Sequence, residues 1–303
     1  MKIKINPVYG KEIKLKVRSV RFAVTIFLFD LMLGIIAITG FEVMFNMHLN
    51  PYVDYSGAAK VFYILISMEI VAVMFLIPAF TAGSIAGERE KQTLDILLTT
   101  VLTPEKIVMG KLLSSVSMVL LLVVSSLPII SIVFTIGGVD MNDLVQFMFA
   151  ILVISFFVGS MGMLASTVLK KTVPAMVCSM IEVMIVCVGT VIVVGVTYII
   201  AKLYYYNCMG AVGKMPNVSG VCMILLVNPV FTVVQMTIKQ CESVSAISKL
   251  AEMLNGSMPV VIDNNWFKIS MVSQIVITVI LLKLSAFFLK PIKNSRTKNL
   301  LHR

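Results

Sequence analysis

Long apolar runs dominate the chain, separated by short charged connectors, with neither the alternation of half-buried strands nor the single apolar face of soluble helices. A membrane-crossing helix needs about 20 mainly apolar residues. Six runs meet that requirement, over 21-46, 61-86, 112-136, 144-169, 174-201 and 267-289, and predict six spanning helices in an all-α fold. A seventh run, 218-236, is barely long enough and carries Asn228-Pro229 at its middle, where proline removes a backbone donor and breaks a helix.

Charge decides how to treat that run. With six spans, the segments 1-21, 87-111, 170-173 and 283-303 fall on one side and hold 19 of the 25 Lys and Arg residues. Cytoplasmic loops retain basic residues, so this side is the cytoplasmic one and both termini lie there. A seventh crossing would move Lys290, Lys293, Arg296, Lys298 and Arg303 outside, so 218-236 reads as a re-entrant or externally lying hairpin within a large outer loop, 202-266. The whole chain, 1-303, then forms one transmembrane domain. The run beginning near Phe22 is about twice a signal peptide's apolar length, has no small-residue cleavage site, and is expected to remain as the first span.

Composition agrees with the pattern: 59% of the 303 residues are hydrophobic and 13% charged, too apolar for a soluble domain of this length. The net charge of +10 would suggest nucleic acid in a soluble protein, but the basic residues cluster at the chain ends and in two connectors, and no nucleic-acid partner is expected. Cys178, Cys187, Cys208, Cys222 and Cys241 lack metal-ligand spacing and read as small apolar residues. In the first 20 residues, Ile13, Val17 and Val20 recur at helical spacing among Lys11, Lys14, Lys16, Arg18 and Arg21, which suggests an interfacial amphipathic helix or a plain basic flank.

The connector between the second and third spans is the most informative stretch. It runs from Ser84-Ile85-Ala86-Gly87 through Glu88, Arg89, Glu90, Lys91, Gln92 and Thr93 to Leu94-Asp95-Ile96-Leu97-Leu98. Leu94, Leu97 and Leu98 share one helical face, a pattern suited to docking in a partner's groove. Thr103-Pro104-Glu105 reads as a helix restart, with Thr103 as N-cap and Pro104 in the first position.

Residues Ser84 to Lys111 resemble the connector of ABC-2-type transporter permeases, whose pattern runs roughly S-I-A-x-E-R-E-x-G-T-L-E-L-L-L-T-T-P-L-S and then I-x-x-G-K. Asn6-Pro7, Asn228-Pro229 and Lys290-Pro291 agree with the same family. Two positions depart from its pattern, with Gln92 standing where the family usually has Gly and Val101 where it usually has Pro. The resemblance implies a coupling helix that docks on a separate nucleotide-binding subunit, with Glu88, Arg89, Glu90, Thr93, Leu94, Leu97 and Leu98 in that role. It also implies an exporter in the cell membrane, built with a second permease chain, identical or related, and with ATP and magnesium held by the partner ATPase.

The rest of the sequence fits that division of labour. No G-x-x-x-x-G-K-[ST] phosphate loop is present, since Gly110-Lys111 is followed by Leu112 and no early glycine stands at the required spacing. His48 and His302 fall on opposite sides of the membrane, and neither Ser84 nor Ser160 sits in a nucleophile elbow, so intramembrane hydrolysis has no visible machinery. Gly137-Gly138-Val139-Asp140 reads as an outer turn.

Asp30, Glu69 and Glu182 lie within apolar spans, where a charge costs at least about 2.5 kcal/mol, and they either line a translocation path or hydrogen-bond to neighbouring helices. Glu42 is nearer an interface. Gly83 and Gly87 make a G-x-x-x-G spacing that predicts close helix approach. A rival function of another class, a membrane sensor or immunity protein without transport, needs neither the coupling helix nor an ATPase.

Overall fold

The computed structural model describes residues 7-46, 56-99, 103-136, 140-208, 216-242 and 245-289. Asn6, His48, Val101, Gly137 to Val139, Lys290-Pro291 and the basic tail lie outside these residues. Among the described residues the secondary structure is helical, with no strand.

Six helices are long and apolar enough to cross a membrane. They are α2 (Val20–Asn46), α3 (Ser56–Glu90), α5 (Pro104–Ile136), α6 (Met141–Val168), the continuous pair α7 (Thr172–Met184) and α8 (Thr190–Cys208), and α12 (Trp266–Leu289). The shorter α-helices among the described residues are α1 (Pro7–Val17), α4 (Leu94–Leu98), α9 (Pro229–Glu242), α10 (Ala246–Met253) and α11 (Val260–Asn264). At 35 residues α3 is about 52 Å long, well beyond the roughly 30 Å hydrocarbon core, so its last turns carry the connector clear of the apolar layer.

α6 is the central helix, with 72% of its most apolar window buried against 11% for the α7–α8 span. Ile66, Ile77, Phe147 and Phe157, all almost fully buried, tie α3 and α6 into the main core. Close approach depends on α6 glycines. A Cβ at Gly162 would overlap Thr81 Oγ1, and one at Gly159 would stand 2.7 Å from Leu112 Cδ1. This corrects the expectation for Gly83 and Gly87. A Cβ at either would meet only Thr172 Cγ2, at 4.0 and 3.4 Å, which is ordinary contact.

Both ends of the first connector, the start of α5 and the end of α12 lie together, because Ile85, Leu94, Ile107 and Leu289 share one buried cluster. We call this the connector end. α1 lies there too, packed along α5 with Tyr9 Oη 3.2 Å from Ser117 Oγ. Ile13 is half-buried, while Leu15, Val17 and Val20 are exposed, so the apolar stripe expected on this segment is turned to two sides.

The run at 218-236 is a 3-10 helix, Ser219–Val227, followed by α9, and the two are bent by 109°. Asn228 makes the corner: its Oδ1 accepts from Phe231 N at 3.1 Å, capping α9, and Pro229 occupies the first helical position. Its Nδ2 donates to Cys187 O and to Thr190 Oγ1, both at 2.8 Å. Cys187 lies in a π turn, Ile185–Gly189, that widens the fifth span. The bent pair is therefore fastened to that widened turn and to α12, where Ser270 and Ser273 both donate to Leu226 O.

Candidate functional site

The connector begins where α3 ends. Gln92 N donates to Arg89 O and Thr93 N to Glu88 O, the two bonds of a Schellman turn, with Gln92 at φ 57° in the left-handed position. Glycine holds that conformation without cost, whereas a side chain opposes it. An apolar contact usually closes such a turn; here Thr93 Oγ1 donates to Glu88 Oε2 at 2.6 Å instead. Thr93 O then accepts from Leu97 N and starts α4.

The three charged residues before the turn each fasten a different element. Glu88 accepts from Lys111 Nζ at 3.2 Å, and the same ammonium donates to Glu12 Oε1 at 2.8 Å and to Ser84 O at 3.0 Å. Lys111 is 2% exposed, and these three acceptors match its three N–H donors. Arg89 donates from Nη1 to Leu169 O and from Nη2 to Thr167 O, both at 3.1 Å, satisfying carbonyls left free where α6 ends. Glu90 accepts from Thr172 N at 3.1 Å and Thr172 Oγ1 at 2.9 Å, supplying the cap that Lys171 does not give α7. Glu12 also pairs with Lys16 at 3.5 Å. Burial lowers the Lys16 pKa from its ordinary value; Glu12 opposes the shift and Lys111 adds to it.

α4 keeps the anticipated leucine face but turns it inward. Leu94 is buried against Ile85 and Ile107, and Leu97 and Leu98 pack partly on the same cluster. The surface of Leu94 is thus covered by this chain. Asp95, Ile96 and Thr99 are the α4-side residues left outward, and Ile96 is 69% exposed. The sequence did not single out Ile96, although it sits opposite the leucines on a helical wheel.

The intramembrane acids divide into a joined pair and a separate residue. Ser125 Oγ donates to Asp30 Oδ1 at 3.0 Å, and Ser126 Oγ donates to Glu69 Oε1 at 2.6 Å. Consecutive serines of α5 thus bind acids from α2 and α3. Glu69 is fully buried, with Oε2 unpartnered among the described residues. Glu182 is contacted by Cys178 Sγ, one turn earlier on its own helix, at 3.8 Å. The geometry brings Asp30 and Glu69 to one serine pair and does not bring Glu182 into it.

A polytopic helical membrane protein whose charged connector clamps the ends of α1, α5, α6 and α7 is the class this fold and site define. Residues 6–289 match the ABC-2 family transporter protein, and the chain belongs to that family. No curated protein matches the chain.

Proposed function

We propose that the chain is the permease subunit of an ATP-driven exporter whose ATP is hydrolysed by a separate subunit. The observation that carries this reading is the connector: a short helix held at the end of α3 and fixed through Glu88, Arg89 and Glu90 to three other elements, α5, α6 and α7. A push on α4 has stiff routes into α3, α5, α6 and α7, which is what transmission of an ATPase's closure requires. The docking face is Asp95, Ile96 and Thr99, all exposed. Glu88, Arg89, Glu90 and Thr93 support the helix from behind. The connector end faces the cytoplasm, with both termini on that side.

The outward apolar face of α7–α8 supports pairing with a second permease chain, which would complete a path that one chain does not enclose. Export as the direction follows the family resemblance. The test is reconstitution of the purified chain in proteoliposomes with candidate ABC ATPase subunits from the same genome. ATP hydrolysis should depend on the chain, and hydrolysis indifferent to it counts against the proposal.

A further inference from the structure

At the end opposite the connector, a cavity of about 440 Å³ opens between the first turns of α6 and α12 and the outer helices α9 and α11. Its lining carries charges of both signs: Asp143 and Asp263, Lys239 and Lys268. Neither lysine forms an ion pair among the described residues, and Lys239 makes only a 3.4 Å bond to Asn264 Oδ1. Asp263 receives one long bond, 3.5 Å, from Gln235 Nε2. Asp143 is bonded by the Gln240 side chain and the Asp140 backbone N–H, whereas Lys239, Lys268 and Asp263 share the wall without an ion pair among the described residues.

Two further wall residues hold unused polar atoms. Trp266, 1% exposed, has an indole N–H with no acceptor among the described residues, and Gln240 Oε1 is buried without a donor. Both atoms are enclosed within the wall rather than open to the cavity. Met236 and Phe267 add an apolar wall.

We propose that this cavity binds a phosphoethanolamine group, a phosphate diester or monoester carrying a primary ammonium. Asp143 and Asp263 accept from the ammonium, while Lys239 and Lys268 donate to the phosphate. A purely anionic headgroup would meet two carboxylates of its own charge. A quaternary ammonium has no N–H to give them. The depth of the site favours a lipid as carrier of the group, because the lining residues stand in the first turns of two membrane-crossing helices, where headgroups lie. This site is independent of ATPase docking at the connector.

Trp266 is the only tryptophan in the chain, so its emission reports on this wall alone. The experiment titrates the full-length chain in detergent with short-chain phosphatidylethanolamine, phosphatidylglycerol, phosphatidylcholine and free phosphoethanolamine. A saturable change in emission is expected with phosphatidylethanolamine, at least about tenfold tighter than with the other two lipids. Equal affinity for free phosphoethanolamine supports the site with a soluble ester as ligand; much weaker binding of it supports the site with the lipid as ligand. Lys239→Gln with Lys268→Gln changes two exposed residues outside the core and should weaken binding about tenfold or more, with Lys268→Arg retaining it. Indistinguishable responses to all three lipids, no saturable response, or an unaffected double glutamine variant that remains monodisperse would each overturn the proposal.

Discussion

The ammonium of Lys111 on α5 lies 2.8 Å from the carboxylate of Glu12 on α1, with Glu88 of α3 on its other side. One buried cation thereby holds the amino-terminal helix, the connector's base and the third span together. Removing it leaves two carboxylates facing each other, and because Glu12 and Glu88 are 19% and 33% exposed, water recovers part of the loss. Lys111→Met should destabilise the purified chain by about 1–3 kcal/mol and free α1 for proteolysis. Thermal unfolding and limited digestion read both effects, and a Lys111→Met chain as stable and protease-resistant as the parent would contradict this role.

Gln92 sits at φ 57° where glycine is at ease. Gln92→Gly should raise stability by up to about 1 kcal/mol, and Gln92→Val should lower it, since a β-branched side chain tolerates this conformation least. The comparison of melting temperatures across the three chains decides it. A fall with glycine would mean that Gln92's side chain holds the turn by contacts that outweigh its backbone strain.

Arg89 and Glu90 cap opposite helix ends on either side of residues 169-172. Arg89→Ala should cost about 1–3 kcal/mol, with Arg89→Lys recovering little because one ammonium does not reproduce the two-pronged contact. Hydrogen exchange should quicken at the start of α7 in Glu90→Ala, most of all at the Thr172 amide. Unchanged exchange there would show that the cap is idle.

Glu69 separates two readings of the intramembrane acids. If it joins α3 to α5 through Ser126, Glu69→Gln keeps a hydrogen-bond partner and leaves stability near the parent's, whereas Ser126→Ala strands a buried carboxyl and costs about 1–3 kcal/mol. Transport in proteoliposomes should survive Glu69→Gln. Loss of transport with stability intact would place Glu69 on the path instead.

The parts of this fold that the sequence displays openly are those set by local rules. Hydropathy marks the six spans, Pro104 marks the start of α5, and Asn228-Pro229 marks the corner at which 218-236 bends. The tertiary assignments were less visible. Glu88, Arg89 and Glu90 look alike as a charged run, and only packing decides that one meets a lysine, one the end of α6 and one the start of α7. The face of Leu94 was legible but its direction was not, because helical spacing cannot say whether a partner or the chain's own core lies opposite. The π turn at Ile185–Gly189 leaves no trace in a uniformly apolar run. Gly159 and Gly162 carried a small-residue spacing that could have been weighed beside Gly83 and Gly87.

The central claim is that α4 docks a separate ATPase through its outward face. The most direct measurement is co-purification of candidate ABC ATPase subunits from the same genome, using the parent, Ile96→Arg and, as a control for folding, Gln92→Gly. Ile96 is 69% exposed, so its replacement should leave the melting temperature unchanged while the ATPase is lost; Gln92→Gly should retain it. Retention of the ATPase by a well-folded Ile96→Arg chain, or no ATPase recovered with the parent, would contradict the account.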